Sequence, residues 1–215
     1  NSGTARDARR RLEKRLSLAG ARASDVQIDQ LLAYLDLLER WNARMNLTAL
    51  DDPDEAIDRL LVEPTLAATE INPAARALVD IGSGGGSPAI PLKIARADLS
   101  LTMVEVRTRK SVFLREVVRH LDLASCRVVT SRFEQALVDP LVREQVDVIS
   151  IRAVRAEEAQ LELFRDALRP GGQQLWFLGP GQPLPAIPSG LALTRERTLL
   201  ESLRSRLVVL SRVGA

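Results

Sequence analysis

Four glycines stand within five residues in "DIGSGGGSPAI", Asp80 to Ile90. A short apolar run, "ALV", precedes Asp80 and two prolines follow the glycines. Glycine lets a backbone turn through positive φ and lets a ligand approach closely. A helix opening after such a loop presents free N–H groups and a positive dipole end. Pro88 suits the first turn of that helix, where its missing N–H costs little. The pattern predicts a ligand with an anionic or carboxylate group, or a nucleotide-like body. Nineteen residues after Gly86 comes Glu105, at the end of "SLTMVEV". An acid placed there can hydrogen-bond both hydroxyls of a ribose.

Two cofactor classes meet those demands, nicotinamide dinucleotides and S-adenosylmethionine (SAM). A third reading is a glycine turn with no ligand. Gly84 to Ala89 matches the dinucleotide pattern G-x-G-x-x-G/A formally, but two residues late after the strand. A dehydrogenase would also need a partner such as His or Tyr near the site. His120 falls inside a predicted helix and Tyr34 in a helical segment far upstream.

The elements that must position these residues follow from periodicity. Residues 4–70 read as helical. Ile28, Leu31, Leu32, Leu35, Leu38 and Trp41 recur on one face, with Ser24 or Asp25 as N-cap. Asp51-Asp52-Pro53 breaks the chain, and Pro64 marks a kink or restart in the next helical stretch. From Arg76 the rhythm changes. "ALVDI", "SLTMVEV", "CRVVTS", "VDVISI" and "GQQLWFL" read as strands, alternating with helices over 87–96, 108–122, 132–144 and 157–168. That alternation predicts a doubly wound, mostly parallel sheet with right-handed crossovers. After the link "GPGQPLPAIPSG", the runs "LALTRERTL" and "SRLVVLSRV" predict an antiparallel hairpin on the sheet edge. The division expected is an N-terminal helical cap over 1–72 and an α/β domain over 73–215.

Composition narrows the chemistry further. The chain of 215 residues is 46% apolar but 27% charged, with no apolar run near the ~20 residues of a membrane span. Its start, "NSGTARDARRRLEKRL", has no apolar core of a secretory signal and reads as a trimmed end. Cys126 and His120 are the single cysteine and histidine, so an internal disulfide, a Cys/His metal site and a His-based triad are not expected. The simplest compartment is the cytoplasm. Only Lys14, Lys93 and Lys110 are lysines, so arginine supplies nearly all the positive charge. Arginine suits phosphate and base stacking, and genomic base composition accounts for the same bias.

The string Asp80-x-Gly82-x-Gly84-x-Gly86 resembles the cofactor motif of the SAM-dependent methyltransferases, where the strand-end acid faces the loop. More selectively, the chain resembles the RsmG/GidB family of small-subunit (16S) rRNA guanine-N7 methyltransferases. The strings that carry this are "RWNARMNLTAL", "DPDEAIDRLL", "DIGSGGGSPAIPLKIA", "RTRKSVFLREV", "SRFEQ", "DVISIRAV" and "LRPGG", in that order over about 80% of the chain. The resemblance implies a class I SAM-dependent methyltransferase (Rossmann-like) fold, SAM as cofactor, and 16S rRNA or the small ribosomal subunit as partner. A monomer is expected.

By position, the resemblance assigns Gly82, Gly84 and Gly86 to the methionine part of SAM, with Asp80 helping at its amino-acid end. It assigns Glu105 to the ribose and Phe133 and Glu134 to the adenine, and counts Ser83, Pro88, Val106, Arg132 and Arg152 among the cofactor-binding residues. Arg109 or Lys110, Arg132 and Arg152 would line the substrate side, with Arg132 and Arg152 the candidate catalytic pair at strand ends. Each basic residue also reads as an ordinary surface charge, and Arg152 alternatively as an ion-pair partner of Asp80 or Glu105. Trp41, Asn42, Asn46 and Thr48 read as helix-closing residues, and Cys126 as core. Arg9-Arg10-Arg11 with Lys14 and Arg15 offers either a phosphate contact or a solvated helix face. Leu60, Glu63-Pro64 and Gly179 stand where the family has His, Asp-Ser and Lys. Two other functions stay open: a class I methyltransferase with a different RNA or small-molecule substrate, and a non-catalytic RNA- or ribosome-binding relative.

Overall fold

The computed structural model describes residues 2–45, 47, 52–140 and 142–214; Asn46 and Thr48 lie outside them. Its centre is a seven-stranded sheet in the order β3-β2-β1-β4-β5-β7-β6. The strands are β1 (Ala77–Ile81), β2 (Ser100–Val104), β3 (Cys126–Val129), β4 (Val146–Arg152), β5 (Leu168–Leu178), β6 (Leu191–Leu200) and β7 (Ser205–Arg212). The first five pair in parallel, while β7 pairs antiparallel with β5 and β6. The strand order reverses between β1 and β4, and in open α/β sheets ligands bind outside the carboxyl ends of the strands at such a point.

The helices are α1 (Ser2–Ala19), α2 (Asp25–Met45), α3 (Pro53–Ile57), α4 (Glu63–Ala67), α5 (Ala89–Ala95), α6 (Thr108–His120), α7 (Phe133–Leu137) and α8 (Glu158–Ala167). Ser24 is the N-cap of α2. Its hydroxyl accepts from the Gln27 N–H while the Gln27 side chain accepts from the Ser24 N–H, which closes a capping box. At α3 the Asp52 carboxylate accepts from the N–H groups of Asp54 and Glu55, with Pro53 in the first turn. Pro64 does not restart the chain. It sits just after a π-helical turn over Asp58–Val62, and helical backbone runs on through it.

The structure corrects several boundaries. The helix expected over 132–144 is only Phe133–Leu137. "LRPGG" belongs to β5, with Gly171 at φ +76° beside a register shift between Val146 and Val148. β2 ends at Val104, so Glu105 and Val106 lie just beyond the strand.

One continuous apolar core joins the helical segment to the sheet. Leu12, Leu31, Tyr34, Leu38, Leu61 and Leu66 share it with Leu78, Ile90, Met103, Phe113 and Leu207. A second cluster covers the other sheet face, through Phe164, Trp176, Ile149 and Val208. Ion pairs add to the apolar contacts of α1. Arg9 reaches Glu13, Asp25 and Asp29. Arg11 pairs with Asp7 and Asp54. Arg15 grips Asp58 with two bonds of 2.6 Å. The arginine run of α1 is therefore largely neutralised within the protein.

Asp58 is buried, so Arg15→Ala leaves a carboxylate without its two donors. The expected loss is about 1.5–3 kcal/mol, the range for hydrogen bonds to charged groups. A fall in the urea midpoint of that size checks it; an unchanged midpoint means α1 does not depend on this pair.

Candidate active site

The glycine loop spans the gap between β1 and α5. The Ser83 N–H donates to the Val104 carbonyl (3.1 Å) and the Gly86 N–H to the Ser83 carbonyl (2.7 Å). Gly86 has φ +92°, and a Cβ there would come within 3.0 Å of Ile90 Cγ1 and 3.2 Å of Leu114 Cδ2. Both conditions require glycine. Gly86 thus serves loop-to-core packing, and Pro88 lies buried beside it at the head of α5.

Two side chains hold the loop. The Gly84 N–H donates to Glu105 Oε2 and the Arg107 N–H to Glu105 Oε1, each at 2.8 Å. From the opposite side in sequence, the Tyr34 hydroxyl donates to the Gly85 carbonyl at 2.7 Å. Tyr34 is fully buried, and burial holds its phenol proton far above the ordinary range. Next to it in α2, Leu38 Cδ1 would stand 3.3 Å from a Cβ at Gly85. The helical segment therefore shapes the loop directly. Tyr34 was legible only as a helical core position, because nothing in its neighbourhood marks a loop contact 51 residues away.

Asp80 lies beneath the loop, 1% exposed. Its Oδ1 accepts from the Ser150 hydroxyl at 2.5 Å, while Oδ2 is buried with no hydrogen-bond partner among the described residues. Burial pushes the Asp80 carboxyl up to about 6, against the opposing pull of its hydroxyl partners and Arg152. An orphaned carboxylate oxygen beneath a glycine loop fits a ligand that carries an ammonium or hydroxyl donor.

A cavity of about 590 Å³ opens over the loop, within the ~300–1,000 Å³ of small-molecule sites. Gly82, Ser83, Gly84, Gly85 and Glu105 line one part of it. Arg59, Glu63, Arg152, Phe177 and Ser205 line another, with Arg107, Lys110 and Gly179 at its wall. Of the sequence candidates, Asp80, Gly86, Pro88, Val106, Arg109, Arg132, Phe133 and Glu134 do not line it; Asp80, Gly86 and Pro88 are buried. Arg132 is exposed at the N-cap of α7. Phe133 packs on Phe164, with ring centroids 5.3 Å apart, and Glu134 accepts from the Gln160 amide. Cys126 opens β3, at the sheet edge away from the loop.

Arg152 is held inside the protein, though with neither of the partners named from sequence. Its Nη2 pairs with Glu63 Oε2 at 2.7 Å and its Nη1 donates to the Arg59 carbonyl at 2.7 Å. Its guanidinium carbon lies 4.6 Å from the centre of the Phe177 ring. The π-turn and Pro64 explain why a backbone carbonyl is available there. Glu63 N–H bonds back to Asp58, and Pro64 has no N–H to give. The Arg59 carbonyl then takes Arg152, and the Leu60 carbonyl takes the Ser87 hydroxyl at 2.9 Å. Burial lowers the proton affinity of Arg152 and raises that of Glu63, while each partner opposes the shift in the other. The signal for Glu63 was an acid set inside the apolar run "LLVEPTL".

A doubly wound sheet in this order, with its glycine loop at the switch point and an antiparallel hairpin at one edge, defines a class I, Rossmann-like methyltransferase fold. The solved SAM-dependent methyltransferase from Aquifex aeolicus has the same fold, with TM-score 0.59 and 16% identity over 79% of this chain and 97% of that one. Residues 27–179 match the family model GidB, rRNA small subunit methyltransferase G, and the chain belongs to that family. It is 36% identical over 153 residues to ribosomal RNA small subunit methyltransferase G of Acetivibrio thermocellus, spanning 71% of this chain and 63% of that relative. Identity to the protein of the same name from Xanthomonas axonopodis pv. citri is 41% over 162 residues, 74% of each chain.

Asp80 supplies a pH test. Its carboxyl titrates near 6 in the fold against 3.8 when unperturbed. The folded state therefore holds the extra proton between those values, and stability falls as pH rises through them. The stability of wild type minus that of Asp80→Asn should drop by up to about 3 kcal/mol between about pH 4 and about pH 7. Chemical denaturation across that range checks it, and a flat difference would place the orphan oxygen in contact with water.

Proposed function

We propose that this protein transfers the methyl group of SAM to N7 of a guanine in small-subunit (16S) rRNA. One observation carries the reading. The cavity over the glycine loop and Glu105 is also lined by Arg59, Arg107 and Lys110, whose side chains have no carboxylate partner among the described residues. Elsewhere arginines are widely spent on carboxylates, as on α1 and at Glu70. Unspent cations beside a nucleoside-sized cavity suit a polyanionic acceptor.

In this reading Gly82, Ser83, Gly84 and Gly85 would hold the methionine part of SAM, with Asp80 beneath them for its amino group. Glu105 would take the ribose, as a carboxylate oxygen retains acceptor capacity beyond one N–H. Phe133 and Glu134, just past β3 but outside the cavity wall, would receive the adenine where it extends beyond the cavity. Bound SAM supplies an electrophilic methyl on a sulfonium. Guanine N7 carries a free lone pair, so no residue has to remove a proton before attack. The cavity lining matches that economy, having neither His nor Cys. The work left to the protein is to hold two reactants in line and exclude water.

Residues 1–72 act here as a cap over a SAM-binding domain at 73–215. We place the protein in the cytoplasm as a monomer; no described helix is long and apolar enough to cross a membrane. The test is incubation with methyl-labelled SAM and small-subunit rRNA, followed by mapping of the label. Label at one guanine, at N7, is expected. Label on another base or position, or none on free RNA and assembled subunits alike, overturns the reading.

Arg59 is exposed, and its side chain makes no ion pair among the described residues. Arg59→Ala should weaken rRNA binding and lower the log–log salt slope by about 1, one phosphate contact fewer. SAM affinity should stay within about twofold, since the assigned SAM contacts lie elsewhere. A slope unchanged in filter-binding titrations would remove Arg59 from the RNA path.

A further inference from the structure

We propose that Glu63 reads the acceptor base, taking the Watson–Crick edge of guanine on the carboxylate oxygen that the protein leaves without a donor. The inference rests on the methyl-transfer reading above and names the residue that chooses its base.

Glu63 is 3% exposed and lines the same cavity as Gly84 and Glu105. Arg152 Nη2 holds its Oε2 at 2.7 Å. Its Oε1 is buried and accepts no hydrogen bond among the described residues. The Ser205 hydroxyl faces the carboxylate and, with the Arg59 guanidinium, favours its charged form, but no hydrogen bond of good geometry reaches Oε1 among the described residues. Buried acceptors are almost always satisfied, and a charged one left bare is costly. A ligand that brings donors to this wall completes the site.

The chemistry of the missing donor is specific. Enzymes that act on an unstacked base read it through its Watson–Crick edge. Guanine offers N1–H and the N2 amino group side by side on that edge, which matches one carboxylate. Adenine places an acceptor at N1 and cytosine one at N3, where the carboxylate would repel them. Uracil has a single N–H between two carbonyls. N7 lies across the purine from the N1–N2 edge, so this anchor leaves the reacting lone pair uncovered. An arginine on the O6–N7 edge would not. Arg152 then acts through Glu63. Fixed by the Arg59 carbonyl and the Phe177 ring, it sets the carboxylate's orientation and is a positioning residue.

The experiment needs no knowledge of the target nucleotide. Wild-type protein saturated with S-adenosylhomocysteine is titrated with GMP, IMP and AMP, followed by ligand-observed NMR. IMP lacks only the N2 amino group. GMP should bind about tenfold tighter than IMP, the loss of one hydrogen bond to a charged acceptor, and tighter still than AMP. Equal binding of the three by wild type, or binding of none, overturns the proposal without any variant. Glu63→Gln should bring the GMP-to-IMP ratio close to one and cut methyl transfer to rRNA at least about tenfold. Glu63→Asp should recover part of both. S-adenosylhomocysteine affinity should stay within about twofold in each variant, since the assigned cofactor contacts are on other residues. A parallel fall in that affinity assigns Glu63 a structural role and overturns the proposal. If wild type transfers methyl to a guanine and Glu63→Gln does so equally well, the inference fails while the reading of function stands. If wild type transfers none, the reading itself fails.

Discussion

The glycine loop is stitched between two parts of the chain, and the rest of the site depends on that stitch. Glu105, just past β2, takes the Gly84 N–H, and Tyr34 in α2 gives its hydroxyl to the Gly85 carbonyl. Neither bond joins the loop to its own flanking elements. The loop's shape is therefore a consequence of tertiary packing: β2 must pair with β1, and α2 must lie on the same sheet face, before the glycines adopt their positions. A Gly-rich segment has high conformational entropy in the unfolded chain, and these two bonds spend that entropy at the place where preorganisation is needed. The continuity of one apolar core from Leu12 to Val209 follows the same logic. The helical segment is part of the loop's foundation as well as a cover.

Much of this was legible in the sequence because it is local or periodic. The seven strands declare themselves as short β-branched and apolar runs, and the alternation with helices leaves few topologies open. Asp80, the loop and Glu105 follow from spacing alone. What was not legible depends on contacts between segments far apart. The partner of Arg152 is an acid 89 residues upstream, and no periodicity reports it. The π-turn that frees the Arg59 carbonyl is likewise hidden, since Pro64 by itself reads as a kink. α7 is shorter than expected because Pro140 has no N–H for the helical ladder and disfavours helical backbone at Asp139.

Arginine usage also reads differently once partners are visible. The run Arg9 to Arg15 looked like a basic patch in one dimension. In three, Asp7, Asp25, Asp29, Asp54 and Asp58 surround it. The exposed pairs among them each contribute little to stability, whereas Arg15 on the buried Asp58 contributes more; together they leave little unpaired positive charge along this run. Among the described residues, the cations without a carboxylate partner at the cavity are Arg59, Arg107 and Lys110. A small, localised set of free charges orients a polyanion better than a diffuse one, since each phosphate contact then fixes register rather than merely adding affinity.

The proposed transfer to an unprotonated nitrogen would leave the enzyme little to contribute except geometry, and that would place the burden on the walls of the cavity. One wall is the loop, held by Tyr34 and Glu105. The other is the π-turn, held to the end of β4 by Arg152 through the Arg59 carbonyl and Glu63. Both walls lean on the helical segment: Tyr34 belongs to α2, and Glu63 opens α4 directly after the π-turn. A shift of the helices against the sheet would therefore move cofactor and acceptor together, since each is referenced to the same body. Losing the Glu63–Arg152 pair would loosen that reference, because the two charges are buried and the bond between them joins the turn to the strand alongside the Arg59 carbonyl. The pair sits where it can keep a methyl donor and a base at reacting distance, and breaking a buried pair of this kind costs more than any of the exposed ones.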